Sequence, residues 1–273
     1  MLFRHPLRLP LLGVALSLAP LSAVEIVAHR GASHDAPENT VAAQRLAWEQ
    51  GADAVETDIH LTKDGKIIAI HDKSTKRTAG REGTVATLTL GELRRLDAGS
   101  WKDARYAGEK LPTLDEQLAL IPVGKKLLVE IKVGPEIVPE LQRAFARVGV
   151  SERNITIISF NADSLREVRR VLPRYRTLYL MGYKAPDAKA KNAKAPPSID
   201  EVIREAKAAG FTGLDLQHTW PLTTADVQRI KAAGLELHVW TVDDVAIARR
   251  WIDLGVASIT TNRPGWLREQ LKR

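Results

Sequence analysis

The chain has 273 residues, 44% of them apolar, a formal net charge of +7 and no cysteine. That length and apolar content suffice for one large domain with a full core, and the lack of cysteine excludes disulfides, thiolate metal sites and a lipid-modified cysteine. The basic excess draws anionic ligands, but aromatics make up only 5% and no basic helix interleaves with them, so nucleic-acid binding is not expected.

Residues 1–23 read as a leader. Arg4 and Arg8 precede an apolar run from Leu9 to Ala19, Pro20 breaks it, and Leu21-Ser22-Ala23 offers a small residue at a cleavage point. A run of roughly 11 residues suits a signal-peptide core and falls short of the ~20 of a membrane span. The expectation is an exported chain, periplasmic or secreted, that begins near Val24 and carries no stable membrane anchor. An uncleaved anchor or a buried helix is the alternative.

From Glu25 onward, β-branched runs alternate with amphipathic segments. Strands are predicted over 25–29, 54–59, 126–132, 154–159, 174–180, 213–216, 236–241 and 258–261. Helices are predicted over 41–50, 114–120, 137–148, 162–171, 199–209, 224–233, 244–254 and 265–271. Gly51, Gly149, Gly210, Gly234 and Gly255 fall where helices should stop. Eight strand–helix units in about 250 residues predict a closed (β/α)₈ TIM barrel, an α/β fold, over residues 24–273. An open doubly wound sheet is the alternative, but the Gly-rich turn it needs after its first strand is missing.

Two stretches stand outside the alternation. Residues 63–112 are too long for an ordinary connection. They predict a hairpin, with its return strand over 66–70, and a small insertion after the second strand at about 72–112. Residues 184–197 form a Lys/Ala/Pro tract, expected as a solvated loop rimming the active face.

Reacting groups in a parallel barrel sit at the carboxyl ends of its strands, and the polar residues gather there. His29-Arg30 ends the first strand, Glu56-Thr57-Asp58 the second and Glu130-Ile131-Lys132 the third. Ser159-Phe160 ends the fourth and Trp240-Thr241 the seventh. Alternation puts Glu56 with Asp58, and Glu130 with Lys132, on one face, and strands about 4.8 Å apart let the three carboxylates converge. Three anions together call for a cation. Hard oxygen donors favour Ca²⁺ or Mg²⁺, with Mn²⁺ a further candidate, whereas zinc would more often recruit histidines. His71, followed by Asp72, ends the short return strand. His29 and His71 can flank a phosphate as general acid and base, with Arg30 and Lys132 as cations for its oxygens.

Each feature alone has an ordinary reading: a solvated carboxylate pair, a structural His-Arg, a lysine that only neutralises Glu130. Their coincidence on one face favours a site. His60 is assigned a supporting or solvent role, His34 and His218 none, and His238 packing or hydrogen bonding within the barrel.

The segments HRGASHDAPENT (29–40), VETDIHLTKDG (55–65), IHD (70–72), RTAGREGTV (77–85), YAGEKLPTLDE (106–116), VEIK (129–132) and HVWTVDD (238–244) resemble, in order and spacing, the signatures of the glycerophosphodiester phosphodiesterases. The resemblance spans nearly all of residues 24–273 and implies a barrel with an insertion after the second strand. It also implies His29 and His71 as the catalytic pair and Glu56, Asp58 and Glu130 as ligands of a divalent metal. Arg30 and Lys132 would contact phosphate, and Phe160 and Trp240 would line the pocket. Glu38-Asn39 would shape the first βα-loop. The implied reaction is metal-dependent hydrolysis of a small glycerophosphodiester to glycerol 3-phosphate and an alcohol, with the neighbouring glycerol hydroxyl attacking phosphorus. Another diester, such as a lysophospholipid, is the runner-up. A barrel that only binds would have lost a histidine or a metal carboxylate, and none is lost.

Overall fold

The computed structural model describes residues 24–185 and 196–273; the expected leader and most of the 184–197 tract lie outside them. Nine strands among the described residues form one sheet: β1 (Glu25–Ala28), β2 (Ala54–Leu61), β3 (Ile67–Ala69), β4 (Lys126–Ile131), β5 (Ile155–Ser159), β6 (Arg176–Met181), β7 (Gly213–Gln217), β8 (Glu236–Trp240) and β9 (Ser258–Thr261). All but β3 pair in parallel, and β1 bonds to both β9 and β2, so eight strands close into a barrel. That closure decides for the TIM barrel over the open sheet. β3 folds back antiparallel onto the long end of β2, pairing Ile59 with Ala69 and Leu61 with Ile67.

Ten α-helices accompany the strands among the described residues: α1 (Val41–Glu49), α2 (Lys76–Ala79), α3 (Leu90–Leu93), α4 (Leu114–Leu118), α5 (Val138–Val148), α6 (Ala162–Val171), α7 (Ile199–Ala208), α8 (Thr224–Ala232), α9 (Val245–Asp253) and α10 (Pro264–Leu271). Their starts are written in the sequence. Thr113, Ser198 and Thr223 each close a reciprocal capping box with an acidic residue three positions on, a device worth about 1 kcal/mol per helix. Strand residues pointing outward, such as Ile26, Val55, Leu127, Ile157, Leu214, Val239 and Ile259, pack with Leu141, Phe145, Leu165, Val202 and Trp251 of the helices in one buried cluster.

Residues pointing inward fill the barrel in layers. The amino-terminal end is plugged by the ion pairs Glu25–Lys126 and Arg176–Glu236. Above it lies a small apolar layer of Val27, Ala54, Leu128, Ile158, Leu178 and Leu180. The carboxyl end is polar, and this is where the chemistry collects.

Between β3 and α4 the chain builds a lobe with its own core of Ile68, Ile70, Val85, Leu93, Leu96, Ala98 and Leu111. Its helical pieces, α2 and α3, have four residues each. No helix among the described residues is long and apolar enough to cross a membrane.

Candidate active site

The turn after β1 shapes the site. Arg30 and Asn39 hold left-handed backbone, with φ of 55° and 60°, and Gly31 follows at 80°. Asparagine tolerates that region, but arginine is strained there by roughly 1–3 kcal/mol. The strain is held by contacts at both ends of Arg30. Its amide donates to Glu56 Oε2 at 2.9 Å, and its carbonyl accepts from the Asn39 amide at 2.9 Å. A side chain at Gly31 would run into the Ala43 backbone at 2.6 Å, so only glycine lets the turn lie against α1.

Glu56, Asp58 and Glu130 are buried and each offers a carboxylate oxygen within 4.8 Å of the others'. The pairing of β2 with β4 sets Asp58 directly beside Glu130. Lys132 Nζ lies 2.6 Å from Glu130 Oε1 and 3.3 Å from Asp58 Oδ1. Arg30 Nε lies 3.2 Å from Asp58 Oδ2. Asn39 clasps Asp58 from behind: its Nδ2 donates to Asp58 Oδ2 at 2.9 Å, and its Oδ1 accepts from the Asp58 amide at 3.0 Å.

Burial would raise the Asp58 pKa, but Arg30 and Lys132 outweigh it and hold the carboxyl down to about 2. Burial, then the neighbouring Asp58 charge, pushes Glu130 up to about 7 and Glu56 well above the usual range. Glu56 Oε1 and Asp58 Oδ1 are buried without a hydrogen-bond partner. A cluster with more carboxylates than cations, and with buried oxygens lacking a hydrogen bond, has the donor set of a hard divalent ion.

His29 Nδ1 meets Asn262 Oδ1 at 2.7 Å. An amide oxygen only accepts, so that nitrogen carries the proton and Nε2 is left as an acceptor. Burial, then the Arg30 charge, lowers the His29 pKa to about 4, which keeps the ring neutral at physiological pH. Asn262 is itself fixed by Asp243, whose carboxylate accepts from the Asn262 amide at 2.8 Å. His71 Nδ1 lies 2.6 Å from Asp72 Oδ1, and His60 Nε2 meets the His71 carbonyl at 3.1 Å. His60 therefore supports His71, and His238 bonds Ser258 and Glu236 inside the barrel.

Arg77 of α2 ties the lobe to the barrel. It reaches Asp72 at 2.7 Å and Glu38 at 2.7 and 2.8 Å, and Glu38 in turn accepts from Arg30 Nη1 at 2.9 Å. The carboxylate behind His71 and the guanidinium beside Asp58 are thus linked through one arginine.

His29, Arg30, Glu56, His71, Glu130, Lys132, Phe160 and Trp240 line one cavity of about 160 Å³, with Ile158, Leu180, Asp215 and Thr260. Asp58 joins the cluster from just behind that lining. Phe160 is 47% exposed at the mouth and meets Trp240 edge-on at 5.5 Å. A larger groove of about 520 Å³ lies on the outside of the barrel near Phe145 and Tyr175. Its only charged groups, Glu152 and Arg174, pair with each other at 3.6 Å, so it carries no comparable constellation.

Four of these residues escape a reading of motifs. Asn39 and Arg77 stand inside quoted segments without an assigned contact, and Asn262 follows β9 at the carboxyl end where reacting groups gather. Asp215 is the lone acid in the apolar run Leu214 to Leu216, on the inward phase of β7. Strand-end position and phase are the available signals for the last two.

The family model described as "Glycerophosphoryl diester phosphodiesterase family" matches residues 29–266. A glycerophosphodiester phosphodiesterase of Caldanaerobacter subterraneus subsp. tengcongensis is 36% identical over 249 residues, covering 88% of this chain and 94% of its own. An Oleispira antarctica phosphodiesterase, solved with the product sn-glycerol-3-phosphate, superposes with a TM-score of 0.81 at 27% identity, covering 91% of this chain and 97% of its own. A glycerophosphodiester phosphodiesterase of Agrobacterium tumefaciens gives a TM-score of 0.72 at 27% identity, covering 89% and 98%.

Proposed function

The chain belongs to the glycerophosphoryl diester phosphodiesterase family, phosphoric diester hydrolases, and on that premise we propose that it cleaves glycerophosphodiesters to glycerol 3-phosphate and an alcohol with a divalent ion and two histidines. The observation that carries this reading is the convergence, at one small cavity, of a buried carboxylate triad and two histidines whose Nδ1 atoms are each engaged. Ca²⁺ or Mg²⁺, with Mn²⁺ a third candidate, held by Glu56, Asp58 and Glu130, would supply positive charge against phosphate oxygens and acidify a nearby hydroxyl.

His29, neutral and half-buried, takes the proton of the glycerol hydroxyl next to the ester as that oxygen attacks phosphorus. His71, its Nδ1 held by Asp72, protonates the departing alcohol. A P–O bond to the glycerol oxygen forms, the P–O bond to the alcohol breaks, and a cyclic phosphate results. In the second half His71 takes a proton from water as it attacks, and His29 returns its proton to the glycerol oxygen that leaves. Arg30 and Lys132 bear the extra negative charge that phosphorus gathers in each transition state.

The test is a diester whose glycerol lacks the attacking hydroxyl, a propane-1,3-diol analogue. Its turnover should fall on the order of 10³-fold or more, since an intramolecular nucleophile is lost. Normal turnover on the analogue would overturn the cyclic path and leave the residue assignments standing.

We also propose export. The basic and apolar first 23 residues support it. N-terminal sequencing of exported protein should begin near Val24; cytoplasmic protein retaining Met1 would contradict it.

A further inference from the structure

Every ionisable group lining the cavity is engaged except one. Glu56 takes the Arg30 amide, Glu130 takes Lys132, His29 takes Asn262 and His71 takes Asp72. Asp215 stands apart. It is 1% exposed, lines the cavity, and its Oδ1 is buried with no hydrogen-bond partner. An unpaired buried carboxyl costs stability, on any scale, compared with an apolar residue of its size. A fold does not need one at this position: its neighbours along β7, Leu214 and Leu216, pack outward into the main core, and only the side chain facing the cavity is polar.

Its place in the barrel limits what it can meet. β7 is the fourth strand from β2 in either direction around the closed sheet, so Asp215 sits on the wall opposite Glu56 and Asp58. Beside it are Leu180, its register partner on β6, and Trp240, and no cation of the phosphate-binding side reaches it among the described residues. Trp240 Nε1 donates to the Asp215 carbonyl at 3.0 Å, which fixes the backbone and leaves the carboxyl free. The mouth of the cavity, by contrast, is formed by the exposed Phe160. Alcohols of different size can be accommodated only at that open end, so the invariant glycerol end of a substrate belongs at the closed end.

We propose that Asp215 is a specificity-determining residue that binds the terminal hydroxyl of the glycerol moiety, the one that takes no part in the attack. This rests on the glycerophosphodiester reading above. A carboxyl accepts a hydrogen bond from a hydroxyl in either protonation state, so the assignment does not depend on its charge. Glycerol is thereby gripped at two points: its reacting hydroxyl on the metal side, its terminal hydroxyl on the far wall.

The test compares two substrates and two variants. The substrates are a glycerophosphodiester and its propane-1,2-diol analogue, which keeps the attacking hydroxyl and lacks the terminal one. The wild-type protein should prefer the former in kcat/KM by about 10–10²-fold, as a site built to bond a hydroxyl rejects its absence. Asp215→Leu should bring that ratio near one by losing rate on the glycerol substrate alone. Asp215→Asn, which keeps shape and hydrogen-bonding capacity, should retain part of the preference. Calorimetric binding of sn-glycerol 3-phosphate against 2-hydroxypropyl phosphate should give the same pattern without turnover, so this assignment and the catalytic reading fail separately. Asp215→Leu should melt no lower than the wild-type protein, since it removes an unpaired buried acid. An unchanged preference in Asp215→Leu, or equal losses on both ligands, overturns the proposal. So does a loss confined to glycerophosphocholine against glycerophosphoglycerol, which would assign Asp215 to a cationic head group instead.

Discussion

Replacing His29 or His71 by alanine should each lower kcat about 10²–10⁴-fold, the range for losing a positioned proton-transfer group, with little effect on folding. Each ring spends its Nδ1 on a local partner, Asn262 at 2.7 Å and Asp72 at 2.6 Å. Deleting one such bond costs about 1 kcal/mol net, small beside the stability of a domain this size. The two losses should differ in kind. With p-nitrophenol as the leaving group the departing oxygen needs no proton, so the His71→Ala penalty should shrink. The His29→Ala penalty should stay, because the attacking hydroxyl still has a proton to lose. His29 remains neutral down to pH about 4, so its capacity to accept that proton is present across the physiological range. Steady-state kinetics on both substrates checks this, and equal penalties on both would contradict the division of roles.

Much of this arrangement is legible in the amino-acid sequence, for identifiable reasons. Strand alternation has a period of two, so the spacing of Glu56 to Asp58 and of Glu130 to Lys132 already places each pair on one face. Parallel neighbours then bring the pairs together, as the Asp58–Glu130 register does. Eight β-branched runs separated by capped, glycine-stopped segments give the closed barrel, and the predicted elements differ from the observed ones mainly by a residue or two at their ends.

The lobe is less legible. Its helices are single turns, too short for a 3.6-residue period to register, and what holds them is the packing of Ile68, Val85, Leu93 and Leu111. The Glu38–Arg77 contact joins residues 39 apart in sequence, and His29 to Asn262 spans 233. No local pattern encodes such pairs. They arise only once the barrel closes and the lobe packs against the loop between β1 and α1.

Chelation should have the largest effect of all. Burial, then the charges of Asp58 and Glu130, push the Glu56 carboxyl well above the ordinary range. Two cations, Arg30 and Lys132, answer three buried carboxylates, so one carboxylate charge is left for a further cation to offset. Glu56→Gln should weaken metal binding while leaving the metal-free fold at least as stable, because it relieves that repulsion. The most direct measurement follows the phosphorus NMR signals of glycerophosphocholine with the purified protein, first in excess chelator and then with Ca²⁺ or Mg²⁺ restored. The expected result is no conversion in chelator and, on adding metal, growth of glycerol 3-phosphate alone. Undiminished conversion in chelator, or release of choline phosphate, would contradict the account.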